Sequence, residues 1–444
     1  MLKGSIWRRL APLLLSFVFG FAHAAPTVTV FTATTDSGTP QRLVTGPDGL
    51  LYFASDKGVF RLTASGASIV ASMPSAPSQL IAGYDGNFYG AVSGTTFRMR
   101  PDGALTTLAQ VALGNLVFKS DGNLYGTQSN GGVYRLTASG TLTKLSDAYI
   151  DNMAEGLGGN LFGVVWIIDP PYYTYQWTNY VYKVTPGGAA SQTDTFACTD
   201  GMPNARLTST PAGLLYGVTE GALNDPFDPT ACHGPGVLFS IDSSGKYTNL
   251  ARFTGASGGS SAPLLYAADG TLFGVSDFYC NDYPNDCHVP ALFRYRPAKN
   301  PSLFAGDLTM IGGDVAQGRA LAQTADGTIY GIAGSTIYRL KRPTTLHGEG
   351  SFSVNPSTGA VTINPKAVLT DDMTTRGIAG QTIRFYRKGV QICVVQTDVS
   401  GAASCKVAAK DHTSGFDAIF QETNLHAASK VTSPLVCVVG TNCK

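Results

Sequence analysis

Charge is scarce in this chain. Asp, Glu, Lys and Arg make up 14% of the 444 residues, against about 25% in an average soluble domain. Neither sign is in excess, since 31 Lys+Arg face 30 Asp+Glu. A protein that tracks a phosphate backbone needs a basic stripe, so nucleic acid is excluded as a partner. After residue 21 no apolar run approaches the ~18 residues of a transmembrane helix, and no membrane span is expected. Glycine interrupts nearly every stretch of ten residues, which argues against long helices. No H-E-x-x-H or P-loop signature occurs. What is present is 43% apolar and 10% aromatic residues, with 52 Gly and 24 Pro. That is enough apolar matter for a large core, with turn residues in plenty and too little Gly plus Pro for disorder.

Residues 1–24 have the layout of an export signal. Lys3, Arg8 and Arg9 precede the apolar run Leu10 to Phe21, and Ala22-His23-Ala24 is an A-x-A cleavage site. Without those three cations the 31 positive charges fall to 28 against 30 negative, a net of −2. The expected location is periplasmic, extracellular or cell-surface.

One block recurs seven times. It reads Asp48-Gly49-Leu50-Leu51-Tyr52, Asp85-Gly86-Asn87-Phe88-Tyr89-Gly90 and Asp121-Gly122-Asn123-Leu124-Tyr125-Gly126 in its first three copies. The others begin at Gly158, Ala212, Asp269 and Asp326. The second residue of each motif is Gly49, Gly86, Gly122, Gly159, Gly213, Gly270 or Gly327, at spacings of 37, 36, 37, 54, 57 and 57. A second half with β alternation follows, as in Val59-Phe60-Arg61-Leu62 and Ile337-Tyr338-Arg339-Leu340. Asp-Gly between two strand patterns predicts a type I′ hairpin. A unit of about 37 residues holds four short strands and cannot bury both faces alone, so radial stacking predicts a β-propeller. The seventh copy stops near Pro343 after its third strand, and Val28-Thr29-Val30-Phe31 can complete it from the other end of the chain. The expected fold is all-β: a seven-bladed β-propeller over 25–343, with the N-terminal strand closing blade seven, then a separate unit over 344–444.

The repeat D-G-x-L-Y-G followed by V-[FY]-[RK]-[LV] resembles the GloVer tandem repeat of exported bacterial proteins. The first unit also resembles streptogramin-lyase-type propellers. That resemblance implies His and Glu on one propeller face, whereas residues 25–343 contain only His233, His288, Glu155 and Glu220. Residues 344–444 leave the repeat. Ile383-Arg384-Phe385, Cys393, Thr397-Asp398 and Gly401-Ala402, then Gly415 to Phe420, resemble a bacterial Ig-like module, which implies a C-terminal β-sandwich.

All eight cysteines lie beyond the signal, and an even count in an exported chain reads as disulfides. Local spacing predicts Cys280–Cys287, Cys393–Cys405 in one hairpin, Cys437–Cys443 and, less locally, Cys198–Cys232. Cys232-His233 and Cys287-His288 match between neighbouring units, but oxidised cysteines supply no thiolates, so no metal and no cofactor is expected.

Two places are candidates for a ligand. Insertions over 164–179, 219–236 and 276–290 all fall between the second and third strands of their units, where long loops carry function. The first holds Trp166, Tyr172, Tyr173, Tyr175 and Trp177, rings suited to stacking on sugars or to protein hot spots. The second place is the mouth of the central tunnel. Arg42, Asn152, Arg206 and Arg319 stand just before blade anchors such as Leu43, Met153, Leu207 and Leu321, with Gln79 and Asn115 in equivalent positions. The leading expectation is a monomeric exported binding or cell-surface interaction protein with a glycan or protein ligand. The alternative is a lyase or hydrolase at the tunnel mouth.

Overall fold

A computed structural model of the chain describes residues 28–31, 37–63, 66–168, 177–203, 206–219, 236–253, 257–259, 262–280, 287–288, 291–297, 307–312, 318–342, 344–372, 376–423 and 425–438. The expected signal segment lies outside them.

Among the described residues, seven antiparallel sheets precede residue 343. The second sheet is typical: Gln79–Ala82, Phe88–Val92, Thr95–Met99 and Leu105–Ala109 pair in chain order. The last sheet departs from chain order. Its outer strand is Val28–Phe31, paired antiparallel with Thr336–Leu340 in the register Val28↔Leu340 to Phe31↔Ile337. The two ends of the array therefore share one sheet, as in a β-propeller.

The core lies between sheets. Tyr52, Ala54 and Val59 of the first sheet pack with Leu80, Phe88 and Phe97 of the second. The same holds round the array, down to Ile332 and Ile337 of the last sheet, which pack with Leu51, Phe53 and Phe60 of the first. Tyrosine rings cross these seams: Tyr52 lies 4.7 Å from Phe88, and Tyr89 lies 4.7 Å from Phe118. The glycine after the motif aromatic leaves room for a cross-strand ring. Gly217 is opposite Phe239, and a Cβ there would lie 2.3 Å from the Phe239 ring.

The motif turn differs from the type I′ hairpin that the sequence predicts. In the first sheet Gly49 donates to Gly46 O at 2.9 Å, Gly46 donates to Leu50 O at 2.8 Å, and Gly49 has φ 74° while Asp48 stays at negative φ. This is a type I turn closed by a left-handed glycine. The aspartate braces the turn. Its carboxylate accepts the Leu50 N–H at 3.1 Å and the Tyr52 hydroxyl at 2.8 Å. Tyr89 holds Asp85 at 2.7 Å and Tyr125 holds Asp121 at 2.5 Å in the same way. The fourth copy has Phe162 instead of tyrosine and no aspartate, and there Gly158 and Gly159 both take positive φ. In the sixth, Phe273 leaves Asp269 free for another partner, described below.

The aspartate–tyrosine bond also ties stability to pH. Burial opposes ionisation of Asp85, but hydrogen bonds from Asn87 and Tyr89 hold its carboxyl below the usual range. Asp121 and Asp326 are lowered likewise, against burial, by donors that include Tyr125 and Thr324. Burial, with help from Asp48, pushes Tyr52 up to about 12.

Residues beyond 343 form two further sheets, packed face to face around Leu346, Leu369, Ile383, Phe385, Phe416 and Ala418. One is built on the long hairpin Thr344–Val354 with Val361–Asp371; the other holds Val390–Gln396, Thr382–Arg387, Phe416–Phe420 and Ser429–Ser433. The expected Cys393–Cys405 disulfide is present, with Cα atoms 6.8 Å apart. It does not close a two-stranded hairpin as the sequence implied. Cys393 lies on Val390–Gln396, whereas the chain before Cys405, Ala402–Ser404, pairs with Val361–Asp371 in the opposite sheet. The bond therefore staples the two sheets together.

This C-terminal unit rests on the turn side of the sixth and seventh sheets. Arg342 reaches Asp269 of the sixth motif turn at 2.7 Å and Asp371 at 2.8 Å. Leu425 packs by Gly327 of the seventh turn, and Arg296 donates to Asp372 O at 3.1 Å. Burial would raise the Asp269 carboxyl, but the Thr271 N–H and Arg342 hold it low.

Because these aspartates sit below their unfolded pKa of ~3.9, their stabilisation is complete above about pH 4 and is lost as pH falls through the folded values. Tyr89→Phe is expected to cost about 1–2 kcal/mol at pH 7, and the deficit should shrink by pH 3. Urea unfolding at both pH values checks this.

Candidate functional site

Strand direction sorts the candidate residues onto one face. In an antiparallel four-stranded blade the turn between strands two and three and the link to the next blade lie on the same side. The motif turns, between strands one and two, lie on the other. The insertions and the residues that begin each inner strand therefore share the side opposite the C-terminal unit.

On that side the fourth sheet carries a long hairpin. Leu161–Ile168 and Trp177–Val184 pair without a break from Leu161↔Val184 to Ile168↔Trp177. The matching strands of the third sheet, Leu124–Thr127 and Val133–Leu136, have four residues each. The extra four residues raise the hairpin by about 13 Å, at ~3.3 Å per residue. Register puts Trp177 at the last rung and Trp166, opposite Asn179, two rungs below it. The backbone at Trp166 and Trp177 is described; Tyr172, Tyr173 and Tyr175 lie outside the described residues. Leu272–Cys280 of the sixth sheet extends on the same side, and Cys280 is the direct cross-strand partner of Cys287, as their predicted pairing requires. Cys437 is disulfide-bonded. Cys232 and Cys443 lie outside the described residues, and for Cys198 only the backbone, in a short 3-10 turn, is described.

The ring of residues around the axis is brought together, and its bonds run from blade to blade. Arg42 of the first blade donates from Nε to Ser78 O of the second at 2.9 Å. Gln79 Oε1 of the second accepts from Leu116 N of the third at 2.6 Å. Asn115 Oδ1 of the third accepts from Asn152 N of the fourth at 3.3 Å. Asn152 Nδ2 donates to Pro203 O at 3.2 Å, where the chain enters the fifth. Arg206 of the fifth reaches back over both preceding blades, donating from Nε to Met153 O at 3.4 Å and from Nη2 to Leu116 O. Desolvation lowers its pKa to about 10. The backbone of Arg319 lies in the seventh inner strand, Gly318–Gln323.

Local distortion sets up this ring. The register slips between Gly114 and Val117, between Asp151 and Ala154, and between Gly318 and Leu321. Such bulges re-aim side chains. Asn115 and Asn152 take positive φ, 49° and 55°, a region asparagine tolerates better than most residues.

Asp151 and Tyr149 belong to the same ring and were missed by sequence reasoning. Asp151 Oδ1 accepts from Asn115 Nδ2 at 2.8 Å, and its hydrogen bond with the half-exposed Tyr149 raises the pKa of that phenol. Neither occupies a recurring position, so only their closeness to the Met153 anchor could have signalled them. Sequence reasoning also passed over Gly255-Ala256-Ser257-Gly258-Gly259, which has the letters of a nucleophile elbow. Its Ser257–Gly259 portion is a β-strand paired with Ser276 to Phe278 and is followed by another strand, not by the helix an elbow requires. Among the described residues no group of three or more His, Cys, Asp and Glu could hold a metal.

A solved structure titled streptogramin B lyase matches with a TM-score of 0.50 at 13% identity, over 71% of this chain and 98% of that one. The fold is a β-propeller. A gluconolactonase from Xanthomonas campestris matches at TM-score 0.38 and 12% identity, over 72% of this chain and 98% of its own. A luciferin-regenerating enzyme matches at TM-score 0.37 and 11% identity, over 71% of this chain and 95% of its own. At 13% identity the likeness to the first is one of fold. No protein-family model matches the sequence, and no curated protein is similar to it.

The ring predicts a separation of backbone strain from bonding. Asn115→Ala loses its blade-to-blade bonds and keeps the strained φ, and is expected to destabilise by about 2–3 kcal/mol. Asn115→Gly should recover about 1 kcal/mol of that. Denaturant midpoints of the two variants check the order.

Proposed function

We propose that this is an exported, monomeric binding protein of the GloVer repeat type. In this reading residues 1–24 are removed as a signal, 25–343 form a seven-bladed propeller and 344–444 an Ig-like module. The ligand is a glycan or a protein surface, met by the face that carries the insertions. The observation that carries the proposal is the hairpin Leu161–Ile168 with Trp177–Val184, paired out to Ile168↔Trp177. In this reading the two tryptophans stand above the face opposite the C-terminal unit. A hairpin whose strands are already paired costs less conformational entropy on binding than an unpaired loop.

The binding reading stands ahead of a lyase or hydrolase at the tunnel mouth. The amides of Gln79, Asn115 and Asn152 are taken up by bonds between blades, which leaves few groups to act on a substrate.

The test is a glycan array and a cell-envelope pull-down with the secreted chain. Trp166→Ala with Trp177→Ala should weaken any binding found by at least ~10-fold and leave the unfolding midpoint within error. Unchanged binding would remove the hairpin from the site.

A further inference from the structure

We infer that the tunnel mouth holds a carboxylate-bearing ligand group on Arg206, so that the face proposed above selects acidic saccharides or other carboxylates. This deepens the binding reading and rests on it.

The argument starts from charge. Arg206 carries a full positive charge at neutral pH, and its bonds run to two neutral carbonyls, Met153 O and Leu116 O. Among the described residues no carboxylate pairs with it. Asp151, the carboxylate of the ring, is committed to Asn115 and Tyr149. Arg342 has Asp269 and Asp371, Arg387 has Asp411, and Arg252 has Asp200, whereas Arg296, like Arg206, is given to a carbonyl, Asp372 O. A guanidinium drawn out of water without a counter-charge is a standing electrostatic demand.

Geometry then says what can meet it. The guanidinium has five N–H donors, and two are engaged. It spans three successive blades, reaching carbonyls of the inner strands that carry the bulged, positive-φ Asn115 and Asn152. The remaining planar donors match a carboxylate better than a single-atom anion.

Gln79 offers a clean perturbation. Its Oε1 accepts the Leu116 N–H at 2.6 Å, and Leu116 O is the carbonyl that receives Arg206. Gln79→Glu keeps that acceptor and adds an internal counter-charge one residue from the guanidinium. The experiment titrates the full chain with sodium D-glucuronate and, separately, D-glucose, at constant ionic strength in sodium chloride. Thermal unfolding and calorimetry are the readouts. A saturable rise in Tm with glucuronate and none with glucose is expected. Gln79→Glu and Arg206→Gln should each weaken glucuronate binding by at least ~10-fold. If Arg206→Gln does not fold, Gln79→Glu decides alone. No saturable response in the wild type, or an equal response in Gln79→Glu, overturns the proposal. The hairpin reading fails independently, because Trp166→Ala with Trp177→Ala should leave the glucuronate response intact.

Discussion

Ring closure is the constraint on which the rest depends. Each sheet exposes two apolar faces, and neither is covered unless both neighbours are present. The seam between Ile332 and Ile337 of the last sheet and Leu51, Phe53 and Phe60 of the first is made like the others. It exists because Val28–Phe31 crosses to the sheet built from Gly318 to Leu340. Among the described residues, pairing Val28–Phe31 with Thr336–Leu340 covers the edge at which the array would otherwise end. The low charge of the sequence follows, since most strands lie between two neighbours and need no solvated side.

The repeated motif is what a short chain segment needs to turn, seat a ring and face the next blade. Glycine gives the left-handed position, aspartate binds both the turn N–H and the tyrosine hydroxyl, and the ring crosses the seam. These requirements are local, so they recur as letters, and the propeller was legible from them. The type of turn was not. Asp-Gly fits two hairpin classes, and the fifth turn, with Ala212 before Gly213, takes the same one as the Asp48 turn, so the aspartate does not decide it. With phenylalanine, aspartate is absent at the fourth turn and is given to Arg342 at the sixth; the fifth keeps Tyr216 without an aspartate, Ala212 standing in its place.

The candidate site was legible in part. Arg42, Asn152 and Arg206 were found by their place before a blade anchor, and the structure brings them together. That Asn152 spends hydrogen bonds on neighbouring blades goes with a bulge between Asp151 and Ala154 that leaves no mark in the sequence. Asp151 and Tyr149 stayed hidden for the same reason. In the C-terminal unit the long hairpin Thr344–Val354 with Val361–Asp371 was missed, because Gly348, Gly350 and Pro365 break its strand pattern. Pro365 pairs with Gly350, and a Cβ at Gly350 would lie 2.5 Å from the Phe416 ring. Tertiary packing therefore overrides local preference there. The same unit, docked on the motif turns through Arg342, leaves the insertion face open.

Deleting residues 25–31 tests closure most directly. The account predicts a clear fall in the urea midpoint and early loss of amide protection along Thr336–Leu340, the strand that Val28–Phe31 covers. An unchanged midpoint with full protection of that strand would contradict it.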